Sequence, residues 1–201
     1  MAIREIYKDS TGARVPSVTT ILSRFKESGG LLYWANQAGL DGKTLDEARA
    51  PALTAGTMAH DLVEASINKR QLPEFNGADP AVVEKARAAF DTYVRWQAMT
   101  KLTVRHTEVS LVSEQHKFGG RLDAIAVVLD QLALCDWKTG GLYADHLFQL
   151  AGYKVLWEEN FPDDPLTGGA HLCSFSRETG EFGHHNFVNL DAEVATFLLM
   201  R

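Results

Sequence analysis

The sequence predicts a mixed α/β domain, a β-sheet with helices packed on it, preceded by a helical N-terminal segment. Three observations carry that expectation. Helical periodicity dominates the first hundred residues. From Leu102 the pattern changes to strand-like segments, the first alternating with period two and the third short and apolar. The remainder then runs helix, two strands and helix, an order that describes a mixed α/β sheet with helices packed on it. At 201 residues, with 45% apolar and 23% charged side chains, the chain has the length and composition of one globular domain. We therefore expect a single domain over 1–201, with 1–100 mainly helical and 101–201 holding the sheet core.

Taken in order, Ile3 to Val15 reads as two short strands around Ser10-Thr11-Gly12. Pro16 or Ser17 opens a helix striped by Val18, Ile21, Leu22 and Phe25, with Gly29-Gly30 as its stop. Leu31 to Ala38 is a second short helix carrying Tyr33 and Trp34. Thr54 to Lys69 places Met58, Leu62, Val63 and Ile67 on one face. Asp79-Pro80 starts the next helix, as cap and first residue, and Val83, Ala86, Phe90, Tyr93, Val94 and Gln97 follow at helical spacing. Strands are expected at Val104–Val112, Leu122–Leu129 and Leu132–Trp137. Gly119-Gly120 stands as a break and Asp130-Gln131 as a tight turn. Leu142 to Asn160 returns to helical period. Ala170–Ser176 and Phe182–Val188 form a hairpin around Glu178-Thr179-Gly180, and Leu190 to Met200 closes the chain as a helix.

Composition excludes several classes. No apolar run is long enough to span a bilayer, and the mean hydropathy is -0.15. Met1 to Asp9 carries four charged residues and reads as neither a signal nor a transit peptide. Cys135 and Cys173 are the only cysteines, which rules out a disulfide scaffold, a four-cysteine zinc site and a cysteine-held iron–sulfur cluster within this chain. A reducing cytoplasm is the expected location. The net charge of -6, from 20 basic against 26 acidic residues, argues weakly against nucleic acid. Most of that excess lies at the C-terminal end, however, and carboxylates that bind a metal stop repelling phosphate once it is bound.

The chemistry concentrates between Gly119 and Tyr153. Asp123 lies early in one strand, and Asp136 and Lys138 end the next, two apart and so on the same sheet face. A buried run of Leu132, Ala133, Leu134 and Cys135 that ends in Asp-x-Lys is either an ordinary strand end or a site. Paired carboxylates suit Mg²⁺ or Mn²⁺, hard cations that prefer oxygen, and an adjacent lysine can move a proton or stabilise charge at phosphorus. Gln149 and Tyr153 share a helix face at i, i+4, as do His60 and Glu64 upstream. Taken singly, each of these residues has an ordinary structural explanation. Gly42-Lys43-Thr44 looks like the end of a phosphate loop, but Gln37 replaces the first glycine and no strand precedes it. His184-His185 reads as a solvated strand edge.

Together, His60, Gly120-x-x-Asp123, Asp136-Trp137-Lys138 and Gln149-x-x-x-Tyr153, in that order, resemble the PD-(D/E)XK nuclease superfamily in its RecB-like exonuclease branch. The opening Val15-Pro16-Ser17-Val18-Thr19-Thr20-Ile21-Leu22, followed by Trp34 and Gly56-Thr57-Met58-Ala59-His60, is similar to phage exonucleases and the mitochondrial genome-maintenance exonuclease. The likeness spans about residues 15 to 190 and implies a restriction-endonuclease-like mixed sheet flanked by helices. It also implies a Mg²⁺- or Mn²⁺-dependent deoxyribonuclease, most simply a phage-encoded exonuclease in DNA processing, recombination or repair. Its partners would be DNA and a phage or host recombination protein, with no membrane.

By the same resemblance His60, Asp123, Asp136 and the Trp137 carbonyl match metal-ligand positions. Lys138 matches the catalytic lysine, and Gln149 and Tyr153 match residues that steady it and contact the DNA backbone. Glu108 is expected to face the same pocket. Arg14, Arg24, Lys26 and Arg121 are expected to line a DNA groove. A non-cleaving DNA- or partner-binding module on the same fold is the alternative.

Overall fold

A computed structural model describes residues 5–25, 29–139, 141–175 and 182–201; at 29–31, 34, 45, 49–53, 139, 175 and 182 only the backbone is described. The chain opens with a small hairpin, β1 (Tyr7–Lys8) and β2 (Arg14–Val15). Helices α1 (Val18–Ser23), α2 (Gly29–Leu40), α3 (Leu45–Ile67) and α4 (Pro80–Thr100) follow. Next come β3 (Thr103–Ser113), β4 (Phe118–Val128), β5 (Gln131–Thr139), α5 (Asp145–Asn160), β6 (Ala170–Phe175), β7 (Phe182–Phe187) and α6 (Asp191–Met200). The main sheet has five strands in the order β3-β4-β5-β6-β7, antiparallel throughout except for the parallel β5–β6 pair that α5 connects.

Helices cover both faces. On one side α3 and α4 bring Met58, Val63, Tyr93 and Trp96 against Ala124, Ala126, Cys135 and Trp137. On the other, α1, α5 and α6 bring Val18, Ile21, Leu150, Leu156, Trp157 and Phe197 against Phe118, Leu122, Ile125 and Leu134. The central strands are buried on both faces, so they read as near-continuous apolar runs, as the sequence showed for Leu132 to Cys135.

The predicted elements are present, with boundary corrections that have physical causes. Ser17 caps α1 by accepting the Thr20 N–H, but α1 ends at Ser23, and Gly29-Gly30 opens α2 instead of closing α1. α3 starts at Leu45, nine residues before the predicted Thr54. Thr44 caps it in a reciprocal box with Glu47, and the backbone runs helically through Pro51, a residue that argues against a helix interior on sequence alone. Gly42-Lys43-Thr44 is therefore a turn and a cap. Gly119-Gly120 does not break a strand but lies inside β4, and the true turn is Glu114–Lys117. β4 turns into β5 through Leu129 and Asp130, both left-handed at φ 49° and 66°, the signature of a type I′ hairpin one residue earlier than predicted. Glu178-Thr179-Gly180 and Lys26 lie outside the described residues. Among the described residues, no helix is long and apolar enough to cross a membrane.

Candidate active site at the β4–β5 fork

The site forms where two paired strands part. The β4–β5 ladder runs from Val128↔Gln131 only as far as Ala124↔Cys135. Beyond it β5 leaves β4, and the vacated edge of β4 is taken by the N-terminal segment: Gly119 N–H donates to the Pro16 carbonyl at 2.9 Å, and Ser17 bridges Gly119 in parallel. Asp123 stands in the fork between these two partners. Its Oδ2 accepts the Trp137 N–H at 2.9 Å, so a side chain continues the cross-strand bonding after the backbone ladder stops. The alternation of β4 also shifts here: Leu122 and Ile125 both face α5, while Ala124 faces α4. A strand with strict period two has no such step, and it frees the Asp123 carboxylate from either core.

Asp136 and Lys138 project from β5 toward the same fork. The Asp136 side chain is 1% exposed; its Oδ2 lies 2.5 Å from Lys138 Nζ, and Oδ1 has no hydrogen-bond partner among the described residues. Burial pushes the Asp136 carboxyl up to about 6, the Lys138 ammonium pulls it down, and the Asp123 charge adds to the rise. Burial alone would lower Lys138, but Asp136 and Asp123 outweigh it and hold the ammonium above its ordinary value. A buried carboxylate with an orphaned oxygen facing a second carboxylate is costly in isolation and suits a cation.

α5 docks over the fork because Gly120 has no side chain: a Cβ there would come within 2.9 Å of both Leu156 Cδ1 and Tyr153 Cε1. That contact seats Tyr153, buried beside Asp136 and Asp123, which together with desolvation keep its phenol far from ionising. Gln149 Nε2 donates to Tyr153 Oη at 2.8 Å, so the i, i+4 pair acts as a unit. Gly119 plays a matching part on the other side, where a Cβ would enter the Tyr7 ring.

Two cavities meet at Asp123. One, of about 260 Å³, is lined by Ser17, Thr19, Gly120, Arg121 and Tyr153 together with Glu5 and Tyr7. The other, of about 320 Å³, is lined by His60, Trp137, Lys138, Gly141, Tyr143 and His146. His60, on α3, thus shares a wall with Asp123 and Lys138. Among the described residues no three His, Cys, Asp or Glu side chains are gathered closely enough to hold a metal ion. The carboxylates of Asp123 and Asp136, the latter with its orphaned oxygen, are nevertheless oxygen donors of the kind a hard divalent cation takes.

Glu108 does face this region. It sits on β3 in the left-handed region at φ 51°, a strained setting for a non-glycine residue within a strand, and its Oε2 lies 2.6 Å from Arg121 Nε. Burial and Asp123 raise its carboxyl and Arg121 lowers it, with weaker influences from Glu64, which raises it, and His60, which lowers it. Glu64 is held by Arg70 at the surface. Arg121 faces the cavity with Ser17 and Thr19, as expected, whereas Arg14 and Arg24 are exposed away from both cavities.

Sequence reasoning missed Tyr143 and His146, which stand at i, i+3 just before and inside the start of α5. It also missed Glu5 and Tyr7, tied to the sheet by Tyr7 Oη to Glu5 at 2.9 Å and Ser110 Oγ to Glu5 at 2.5 Å. His184 is not a solvated edge residue. It is half-buried, stacked on His171 at 4.9 Å between ring centres and edge-on to Trp96; His185 alone is exposed.

The family profile of the PD-(D/E)XK nuclease superfamily matches residues 19–198. This chain belongs to that superfamily. No curated protein sequence matches it. Among solved structures it is similar to a protein from Eubacterium rectale named provisionally as an exonuclease, at 13% identity and a TM-score of 0.51, over 73% of this chain and 63% of that one. The chain therefore spans less than two thirds of that protein's length. It is also similar to LHK-Exo in complex with dAMP, at 14% identity and a TM-score of 0.38, over 71% of this chain and 77% of the other. At these identities the first likeness bears on the fold, and the expected mixed sheet flanked by helices is the one found.

Proposed function

We propose that this superfamily member is a divalent-metal-dependent deoxyribonuclease of the RecB-like branch, an exonuclease that hydrolyses phosphodiester bonds at DNA ends, acting as a single domain over 1–201. The observation that carries the proposal is the fork itself. Asp123, Asp136 and Lys138 come from two strands to one point, and Asp136 keeps a buried oxygen without a hydrogen bond. Asp123, Asp136 and the Trp137 carbonyl would hold the cation, with His60 closing the cavity as a nitrogen donor. When bound, the metal neutralises a phosphoryl oxygen and lowers the pKa of the attacking water.

The protein's own groups supply the rest. Asp123 keeps the two strands at fixed separation through the Trp137 N–H. Lys138, one N–H of which is engaged by Asp136, presents its remaining donors to the charge that develops on the phosphoryl oxygens, an interaction stronger in the transition state than in the ground state. Tyr153, locked by Gln149 and by the close approach at Gly120, fixes the wall behind the lysine. Arg121, Ser17 and Thr19 offer donors to the adjoining phosphate in the second cavity. In this proposal the protein processes DNA in recombination or repair, in a phage-infected or bacterial cytoplasm.

End-labelled single- and double-stranded DNA incubated with Mg²⁺, Mn²⁺ or EDTA tests it, with Lys138→Ala as the control. We expect metal-dependent release of nucleotides by the wild type and none by the variant. Tight DNA binding without cleavage in either metal would favour a non-cleaving module instead.

A further inference from the structure

Tyr143 is 66% exposed, yet it is held in place. Its backbone N–H donates to His146 Nδ1 at 3.1 Å, and the two rings meet edge to face at 5.6 Å. At the other end its hydroxyl lies against Gly141, where a Cβ would approach to 3.3 Å. An exposed tyrosine normally samples several rotamers, and this one has its ring against His146 and its hydroxyl beside Gly141, contacts that narrow the choice. It lines the 320 Å³ cavity that also contains Asp123, Lys138 and His60. Nothing in the cleavage chemistry requires an aromatic ring there, and no core covers it.

We propose that Tyr143 is the platform on which the base of the nucleotide next to the scissile phosphate stacks, and that the substrate is therefore DNA with an unpaired end. The inference rests on the nuclease function proposed above. Every base has a π-face, so a fixed aromatic ring recognises an unpaired nucleotide without selecting its sequence. The preset orientation lowers the ordering cost of binding, because the ring is immobilised before the nucleotide arrives. The cavity of about 320 Å³, at the small end of ligand sites, has room for one nucleotide unit beside Lys138. A base in that cavity has left its duplex partner, so an already unpaired end binds without the cost of melting.

The test compares wild type, Tyr143→Ala and Tyr143→Phe on short end-labelled single strands. Some strands carry an abasic residue moved stepwise through the positions nearest the cleaved end. Cleavage is read in Mg²⁺ and equilibrium binding in Ca²⁺. Tyr143→Ala should lose about 5- to 150-fold in kcat/KM and in affinity, the range for one stacked base. Tyr143→Phe should stay within about 2-fold, since the ring and not the hydroxyl makes the platform. One abasic position should cost the wild type the same factor and cost Tyr143→Ala nothing further. An abasic penalty equal in wild type and Tyr143→Ala overturns the platform while leaving the nuclease function standing. Absence of cleavage by the wild type sinks the nuclease proposal, and the Ca²⁺ binding series then decides the platform alone: no loss of affinity in Tyr143→Ala overturns it.

Discussion

Replacing Asp123 by asparagine and by alanine separates two roles that the structure assigns to one side chain. Asp123 Oδ2 accepts the Trp137 N–H at 2.9 Å at the point where the β4–β5 ladder has ended. A hydrogen bond to a charged group contributes about 1.5–3 kcal/mol. The same carboxylate repels those of Asp136 and Glu108, whose carboxyls it raises, and attracts the Lys138 ammonium, so removing its charge has opposed effects. Asparagine keeps an oxygen that accepts the N–H and removes the charge. Alanine removes both. Asp123→Asn should therefore unfold within about 1 kcal/mol of wild type. Asp123→Ala should be less stable than Asp123→Asn by at least about 1 kcal/mol. Both should lose cleavage, because neither offers an anionic oxygen to the cation. Urea denaturation in EDTA, with unchanged m, reads the stabilities, and end-labelled DNA reads activity. Equal destabilisation by the two substitutions would show that the Trp137 contact does not hold the fork.

Lys138→Ala should reduce cleavage by at least about 100-fold while DNA binding in Ca²⁺ is retained, since the ammonium acts on transition-state charge; near-normal turnover in a folded variant would remove it from the chemistry. Gly120→Ala places a Cβ 2.9 Å from the Tyr153 ring and should cost about 1–3 kcal/mol by denaturation, with a change in the near-ultraviolet tyrosine signal; a neutral result would mean α5 is not docked so closely. His171 is buried and lowered to about 4 by burial and by His184, so the unfolded chain binds its proton more tightly. Stability from this group is complete above about pH 6.5 and falls as pH drops toward about 4, with a ceiling of about 3.4 kcal/mol, and a flatter pH–stability curve is expected in His171→Phe.

Most of the fold was legible because its elements advertise themselves through periodicity. The errors fall where a local signal was overridden by something distant. Gly119-Gly120 resembles a turn in one dimension. In three dimensions each glycine is the place where another element comes too close for a Cβ, Tyr7 at the first and Tyr153 at the second. Pro51 hid the first two turns of α3, whose capping box from Thr44 to Glu47 was nonetheless written in the sequence. His184 seemed a solvated edge residue because its partners, His171 and Trp96, come from another strand and a helix.

The site was legible for a different reason. Asp123, Asp136, Lys138, Gln149 and Tyr153 violate the patterns around them: a charge inside one buried strand and two toward the end of the next, an amide and a phenol on the inner face of a helix. Sequence alone marks such violations without saying whether they meet. They meet because β5 abandons β4 at Asp123 and the Pro16–Ser17 segment pairs further along the same β4 edge, leaving between them an interval of that edge with no paired strand among the described residues. That opening gives the site its cavities and its access to a linear substrate. It also explains why the sequence did not reveal Tyr143. A lone tyrosine before a helix breaks no pattern, and its significance arises only from the loop that carries it back beside Lys138, where its fixed ring faces the same opening.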